Sequence, residues 1–223
     1  MKKARTGAVT PQTESKTPGS TGPAVVYFAK VPSPGRVKTR LTPPLTSSEA
    51  SALYGAFLRD GVKSISDYKT MVYGWPPEEL SDLAGYLSAD LEVRPQRGGD
   101  LWERLGHAIS DLFAEGHGPV VVRNTDSPDL PRARVEEAVE RCGVDDVVFG
   151  PDADGGFYLI ALGSPCPDLL RGLPVSSDGV LAAASDRARE LGREVHMLAQ
   201  ECDVDTFDDL IGMWRERLAR GAD

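Results

Sequence analysis

This chain of 223 residues lacks the marks of a membrane, secreted or nucleic-acid-binding protein. No apolar run approaches the ~20 residues that a membrane span needs. No apolar stretch follows the positively charged start MKKARTGAVTPQ, so we expect no secretory signal. The net charge is −9, whereas non-specific nucleic-acid binders carry a basic surplus. We therefore expect a soluble, cytoplasmic protein with no membrane or nucleic-acid partner.

Cysteine and histidine are also scarce. Three cysteines with no Cys-x-x-Cys pair indicate neither a disulfide framework nor a structural zinc site. The three histidines lack metal-ligand spacing, so we assign them no role. Residues 1–22 have almost nothing apolar to bury and predict a disordered tail. Residues 23–223 predict a single domain.

What is present is an alternation of short apolar runs with amphipathic helical runs. Strands are predicted at 24–29, 71–75, 91–93, 119–124, 146–149, 157–162 and 195–199. Helices are predicted from a capping box at Thr46 to Ile65, and at 78–87, 100–115, 132–141, 177–191 and 207–220. This alternation is typical of an α/β protein with a mostly parallel sheet and helices on both faces. Ligands of such sheets bind beyond the carboxyl ends of the strands.

The segment FAKVPSPGRVKTRL (28–41), after the first strand, has a local surplus of positive charge. Four cations lie within eleven residues of it: Lys30, Arg36, Lys38 and Arg40. Gly35 allows a close backbone approach, and the cations suit the oxygens of a di- or triphosphate. The Walker A and G-x-G-x-x-G patterns are both missing. The alternative is a solvated basic loop.

Two acidic segments follow other predicted strands. Asp126 follows the strand at 119–124, where a carboxylate is well placed to hold a divalent cation against phosphates. The alternative is that Asp126 or Ser127 only caps a turn, a role that suits Asp129 better than Asp126. Asp203 and Asp205 crowd negative charge before the last helix, and a divalent cation would relieve their repulsion. The sequence leaves open which of the two would bind it.

Two glycine-containing segments are more ambiguous. In Asp-Ala-Asp-Gly-Gly (152–156), Asp154 could bind sugar hydroxyls or act as a base, or the segment could be an Asp-Gly hairpin turn. In Gly-Gly-Asp-Leu-Trp-Glu-Arg (98–104), the helix start could face an anion or a nucleobase, or form only a loop and cap.

Five ordered motifs together resemble a known family. They are FAKVPSPGRVKTRL, Gly-Gly-Asp-Leu-x-Glu-Arg-Leu (98–105), Thr-Asp-Ser-Pro-Asp-Leu (125–130), Pro-Asp-Ala-Asp-Gly-Gly-Phe-Tyr-Leu-Ile (151–160) and Asp-Val-Asp-Thr-Phe-Asp-Asp-Leu (203–210). The chain is similar over 24–218 to small bacterial glycosyltransferase-A-type proteins labelled arsenosugar-biosynthesis-type glycosyltransferases. That group is similar to molybdenum-cofactor and phospholactate guanylyltransferases.

The resemblance implies a nucleotide-diphospho-sugar transferase fold, a three-layer α/β/α arrangement with a mixed, mostly parallel sheet. It implies Mg²⁺ or Mn²⁺ held by Asp126 and Asp205, with Asp203 competing for the second place, and catalytic roles for Asp126 and Asp154. The nucleotide would be bound by Lys30, Gly35, Arg36, Lys38, Arg40, Gly98, Asp100 and Arg104.

Three functions remain open from the sequence. The first is a metal-dependent glycosyltransferase that moves a sugar from a nucleotide-sugar to a small-molecule acceptor. The second is a nucleotidyltransferase that joins an NTP to a phosphorylated small molecule and releases pyrophosphate. The third is a non-catalytic nucleotide-binding protein. The same cationic loop and aspartates would serve the first two equally well.

Overall fold

The computed structural model describes residues 21–174 and 179–221. Residues 1–20 of the predicted tail, residues 175–178, which include the first two of the helix predicted at 177–191, and residues 222–223 lie outside it. The strands are β1 (Ala24–Lys30), β2 (Lys69–Trp75), β3 (Glu92–Pro95), β4 (Val120–Arg123), β5 (Asp146–Pro151), β6 (Phe157–Leu162) and β7 (Glu194–Met197). The helices are α1 (Ser47–Ser64), α2 (Leu80–Gly85), α3 (Leu101–Ala114), α4 (Arg132–Arg141), α5 (Val180–Glu190) and α6 (Phe207–Arg220).

Within the described residues, the seven strands form one sheet in the order β3-β2-β1-β4-β6-β5-β7. All neighbouring strands pair in parallel except β6, which runs antiparallel to both β4 and β5. The predicted mixed, mostly parallel sheet is confirmed. Since β6 is reversed, its first residues lie at the sheet edge where β1, β4 and β5 end.

Two apolar cores cover the two faces of this sheet. Side chains alternate along β1, so that Ala24 and Val26 join one core while Val25 and Tyr27 join the other. Helices α3 and α5 pack on the first face, and α1, α2 and α4 on the second. The predicted three-layer arrangement is therefore confirmed.

Side-chain caps mark the starts of three of the six described helices, α1, α3 and α6. The Thr46 hydroxyl accepts a bond from the backbone N–H of Glu49, whose carboxylate accepts one in return, and this capping box opens α1 as predicted. The predicted helix at 78–87 is instead a 3₁₀ turn, Pro77–Glu79, followed by the short α2. Proline suits a first helical turn, and Gly85 lowers helix propensity at the other end.

A close backbone approach explains a glycine at the end of β6. A Cβ added to Gly163 would lie 1.6 Å from the carbonyl oxygen of Gly143, so the backbone itself would have to move. We expect Gly163→Ala to lower the free energy of unfolding by roughly 1–3 kcal/mol. Gly106→Ala is the matched control, because a Cβ there meets nothing within 4 Å, and alanine should stabilise α3 by roughly 0.5–1 kcal/mol. Equal effects of the two changes in urea unfolding would contradict this account.

No described helix has the length and apolar character needed to cross a bilayer.

Candidate functional site

A cavity of about 400 Å³ lies at the sheet edge where β1 and β4 end. Its apolar lining comes from the sheet and from α3, and includes Phe28, Trp102, Leu105, Phe157 and Ile160. Its charged lining residues are Lys30, Lys38, Arg104, Arg123, Asp126 and Asp152. This is the edge at which ligands of such sheets bind.

Lys38 joins the two acidic segments at this edge. Its Nζ lies 2.5 Å from Oδ1 of Asp126 and 3.0 Å from Oδ1 of Asp205. Only 3% of the Lys38 side chain is exposed, whereas its two partners are each more than a third exposed. The Lys38 backbone is left-handed, with φ of 46°, which is uncommon for a residue other than glycine. The structure thus holds one ammonium between two carboxylates.

Electrostatics keep this ammonium charged. Burial by itself would lower the pKa of Lys38, but the ion pairs and hydrogen bonds to Asp126 and Asp205 outweigh it and raise that pKa above its usual value. Arg40 adds a second cation, with its Nη1 lying 3.3 Å from Oδ2 of Asp205. The carboxylates of Asp126 and Asp205 therefore converge on a centre of positive charge.

Asp203 has a different environment from Asp205. Its carboxylate accepts hydrogen bonds from Asn124 Nδ2 at 3.0 and 3.1 Å and from Ser127 Oγ at 2.5 Å. Burial, reinforced by the nearby carboxylates of Asp126 and Asp152, raises the pKa of Asp203 to about 6 despite these bonds. The contacts of Asp203 thus hold the loop after β4 in place.

Buried polar contacts fix the loop that carries Asp126. The guanidinium of Arg123 lies over the Tyr27 ring, 4.6 Å from its centroid, and donates to the carbonyl oxygen of Ser127 at 2.8 Å. The hydroxyls of Tyr54 and Thr125 lie 2.8 Å apart in a hydrogen bond. The N–H of Val204 donates to the carbonyl oxygen of Asp126 at 2.8 Å. The segment that contains Asp126 and the segment that contains Asp205 are therefore fixed in position relative to each other.

Arg104 lines the cavity from α3. Its guanidinium stacks on the Trp75 ring, 4.3 Å from the centroid. Its Nε is buried and has no hydrogen-bond partner within residues 21–174 and 179–221. Burial lowers the pKa of Arg104. A buried donor without a partner is costly, so this group is suited to an anionic or carbonyl oxygen of a ligand.

The structure brings together only part of the predicted nucleotide-binding set. Lys30, Lys38 and Arg104 line the cavity. Arg40 does not line it, but pairs with Asp205, which also pairs with Lys38.

The remaining four lie elsewhere. Arg36 pairs with Glu79 at 2.5 Å, and Gly35, with φ of 75°, serves the turn beside it. Asp100 caps α3 by accepting from the N–H of Glu103, and Gly98 precedes it with φ of 136°. None of these four is among the lining residues of the cavity.

The Asp-Gly segment forms a hairpin turn, one of the two alternatives left open by the sequence, since it joins the antiparallel strands β5 and β6. Asp154 is exposed there and does not line the cavity, whereas Asp152 does. The carboxylate of Asp152 accepts bonds from the N–H groups of Asp154 and Gly156 at 2.9 and 2.8 Å. Sequence reasoning missed Asp152, although it stands in the quoted motif.

Other lining residues had no signal of their own in the sequence. They are Tyr54, Trp75, Gln96 and Asn124. Tyr54 reads as a core position of α1, and the amide of Gln96 donates to the carbonyl oxygens of Ala29 and Tyr73. Only the tertiary arrangement brings these side chains to one cavity.

Hard oxygen ligands suit Mg²⁺ and Mn²⁺, and Asp126 and Asp205 offer them. The Lys38 ammonium, bound by both, shows that the two carboxylates can face one cation. A separate group, Asp146, Glu194 and His196, has ligand atoms within 4.8 Å of one another. It lies where β5 and β7 begin, at the opposite sheet edge from the cavity.

The sequence matches a family model described as "Uncharacterized protein conserved in bacteria (DUF2064)" over residues 66–177, about half of the chain. The match includes Arg104, Asp126 and Asp152 but neither Lys38 nor Asp205. No curated protein matches the sequence significantly. The predicted arsenosugar-biosynthesis label is not confirmed.

Solved structures share the fold. A protein from Desulfovibrio desulfuricans G20, named as a candidate nucleotide-diphospho-sugar transferase, is 30% identical, with a TM-score of 0.79 and 87% coverage of both chains. Rv0371c from Mycobacterium tuberculosis H37Rv in complex with manganese is 18% identical, with a TM-score of 0.51 and coverage of 87% of this chain and 98% of that one.

Molybdopterin-guanine dinucleotide biosynthesis protein A from Archaeoglobus fulgidus is 14% identical, with a TM-score of 0.51 and coverage of 87% and 99%. At such identity it shows the fold alone. The predicted nucleotide-diphospho-sugar transferase fold is confirmed.

Proposed function

We propose that this chain, which belongs to the DUF2064 family, is a metal-dependent glycosyltransferase that moves a sugar from a nucleotide-sugar to a small-molecule acceptor. The observation that carries the proposal is the pair of carboxylates, Asp126 and Asp205, converging on one cation beside a 400 Å³ cavity. The 30%-identical protein named as a candidate nucleotide-diphospho-sugar transferase supports the choice of donor.

In this proposal Asp126 and Asp205 hold Mg²⁺ or Mn²⁺. The bound metal supplies positive charge that offsets the charge of the departing nucleoside diphosphate. Asp205, rather than Asp203, is the second ligand in this proposal, because Asp205 faces the same Lys38 ammonium as Asp126, whereas Asp203 accepts bonds from Asn124 and Ser127. The manganese complex of a protein with the same fold agrees with this kind of metal.

The chain's own cations bind the donor. Lys30, Lys38 and Arg40 lie at or beside the cavity and stabilise the diphosphate oxygens, on which charge develops as the sugar leaves. Arg104, held on Trp75, offers its unpartnered Nε to a further oxygen of the ligand. Four other predicted residues support ligand binding by shaping the segments that carry these cations. They are Gly35 and Arg36, in the loop after β1, and Gly98 and Asp100, at the start of α3.

The acceptor binds in the same cavity. Asp152 lines it and takes the proton of the acceptor hydroxyl, a role for which the more exposed Asp154 was predicted. The N–H bonds from Asp154 and Gly156 orient the carboxylate. Asp154 thus contributes through its backbone.

Nucleotidyl transfer is the second candidate function. A phosphorylated acceptor is already anionic and needs no base, so the Lys38, Asp126 and Asp205 cluster would suffice for it. The fold is shared with a protein of molybdopterin-guanine dinucleotide biosynthesis, which agrees with this alternative.

Thermal unfolding with a ligand panel tests the proposal. The panel contains UDP, GDP, CDP, ADP, their sugar conjugates and the NTPs, each with Mn²⁺, with Mg²⁺ or with a chelator. We expect one nucleoside diphosphate and its sugar conjugate to stabilise the protein only with metal, by about 2.7 kcal/mol at a hundredfold excess over Kd.

Product analysis then separates the functions. Sugar transfer with release of the same nucleoside diphosphate supports the glycosyltransferase. Pyrophosphate release from an NTP would replace it with nucleotidyl transfer. Metal-independent binding of a nucleotide, with no turnover of any donor, would contradict both transferase functions and support the non-catalytic nucleotide-binding protein.

A further inference from the structure

We propose that Lys38 is an internal competitor for the metal, so that metal binding and delivery of this lysine to the ligand phosphates are one coupled event. The inference rests on the proposed function in taking Asp126 and Asp205 as the metal ligands. It adds that the Lys38 side chain occupies the position between the two carboxylates until a metal ion replaces it.

The contacts make the two cations mutually exclusive. The Lys38 ammonium lies 2.5 Å from Asp126 Oδ1 and 3.0 Å from Asp205 Oδ1. Mg²⁺ binds carboxylate oxygens at about 2.0–2.1 Å, so an ion held by these same two atoms would occupy the space of the ammonium. One carboxylate pair can therefore hold Lys38 or the metal at this point.

Electrostatic attraction stabilises the arrangement in which Lys38 binds both carboxylates. Two carboxylates in a half-buried position repel each other, and the ammonium between them cancels that repulsion. Water reaches the two carboxylates, which are 40% and 38% exposed, and screens their repulsion, but it cannot neutralise their charge. A divalent ion can, and it restores neutrality around the pair once the lysine has left.

The released ammonium can bind a ligand in the adjacent cavity. Lys38 and Lys30 both line the cavity, next to Asp126. Phosphate oxygens bound there would accept the ammonium that the carboxylates release. Bound nucleotide then raises the affinity of the site for metal. By thermodynamic reciprocity, bound metal raises the affinity for nucleotide by the same factor.

Mn²⁺ binding to Lys38→Met in the absence of nucleotide tests this competition. We expect the Mn²⁺ affinity, measured by electron paramagnetic resonance of free Mn²⁺, to rise at least about tenfold, the factor expected if the open state of the wild type is ~10% populated. Nucleotide affinity should fall in the same variant, because the phosphates lose an ammonium. A merely structural lysine would not shift the two affinities in opposite directions.

Lys69→Met is the matched control. Lys69 pairs with Glu92 at 2.9 Å, so this variant also loses one ammonium from an ion pair and changes the net charge equally. Its Mn²⁺ affinity should equal that of the wild type. Equal Mn²⁺ affinities of the wild type and Lys38→Met would overturn the competition and leave metal-dependent transfer standing. No Mn²⁺ binding by either protein would overturn the metal site itself.

Acetylation of the wild-type protein provides a test that does not depend on the folding of Lys38→Met. With an N-hydroxysuccinimide ester and peptide mass spectrometry, we expect Lys38 to be protected without metal. Mg²⁺ alone should raise its acetylation severalfold, with Lys69 as the internal reference. Unchanged or lower acetylation of Lys38 with saturating Mg²⁺ would contradict release of the lysine.

Discussion

Asp126→Asn is expected to lower the rate of metal-dependent transfer at least about a hundredfold. The asparagine keeps the shape of the side chain but removes one of the two charges that face the cation. Changes to groups that only orient metal ligands cost about 10–100-fold, so loss of a ligand charge should cost at least as much. Product formation from the donor found in the ligand panel measures the effect, and the metal-dependent thermal shift should vanish with it.

Asp129→Asn is the control for Asp126→Asn. Asp129 stands in the same loop but pairs with Arg217 at 3.1 Å and does not line the cavity. It should keep the transfer rate of the wild type within a few-fold. If Asp126→Asn retains full metal-dependent activity, Asp126 is not a metal ligand and the proposed site is wrong.

The second large effect concerns stability and pH. Burial raises the pKa of Asp203 to about 6 in the folded protein, whereas an unfolded aspartate titrates near 3.9. Ionisation is therefore disfavoured by folding, and stability is highest below the unfolded pKa. It falls as the pH rises from about 4 to 6 and levels off above that range. The full difference corresponds to about 3 kcal/mol.

Asp203→Asn should remove this part of the pH dependence. Between pH 4.5 and 7, in the presence of a chelator, we expect the wild type to lose about 2 kcal/mol more of its free energy of unfolding than the variant. Urea unfolding at the two pH values measures the difference. If the variant and the wild type change in parallel, the carboxyl of Asp203 is already ionised at pH 4.5 in the folded protein.

Local patterns were enough to predict most of the fold. The bounds of β6, α4 and α6 agree with the predicted ranges, because continuous apolar runs and helical stripes are local properties. The helix at 78–87 was predicted too long, since the pattern does not distinguish a 3₁₀ turn from the start of an α-helix. The pairing direction of β6 follows only from the assembled sheet.

The site was less predictable than the fold. Lys38 and Asp126 were predicted as site residues because they follow predicted strands, and strand ends can be recognised in the sequence. The pairing of Arg36 with Glu79 depends on a turn whose direction no local pattern gives. Asp152 and Asp154 are two residues apart in a hairpin, and only the fold shows which of them lines the cavity.

The contact between Lys38 and Asp205 joins segments 167 residues apart. Bringing them together closes a long loop, and the entropy cost of that closure grows only slowly with loop length. The site therefore requires both the segment after β1 and the segment before α6, and neither half of the fold contains it alone. A ligand held by both segments clamps the beginning of the domain to its end, so occupancy of the site and resistance of the whole fold to opening rise together.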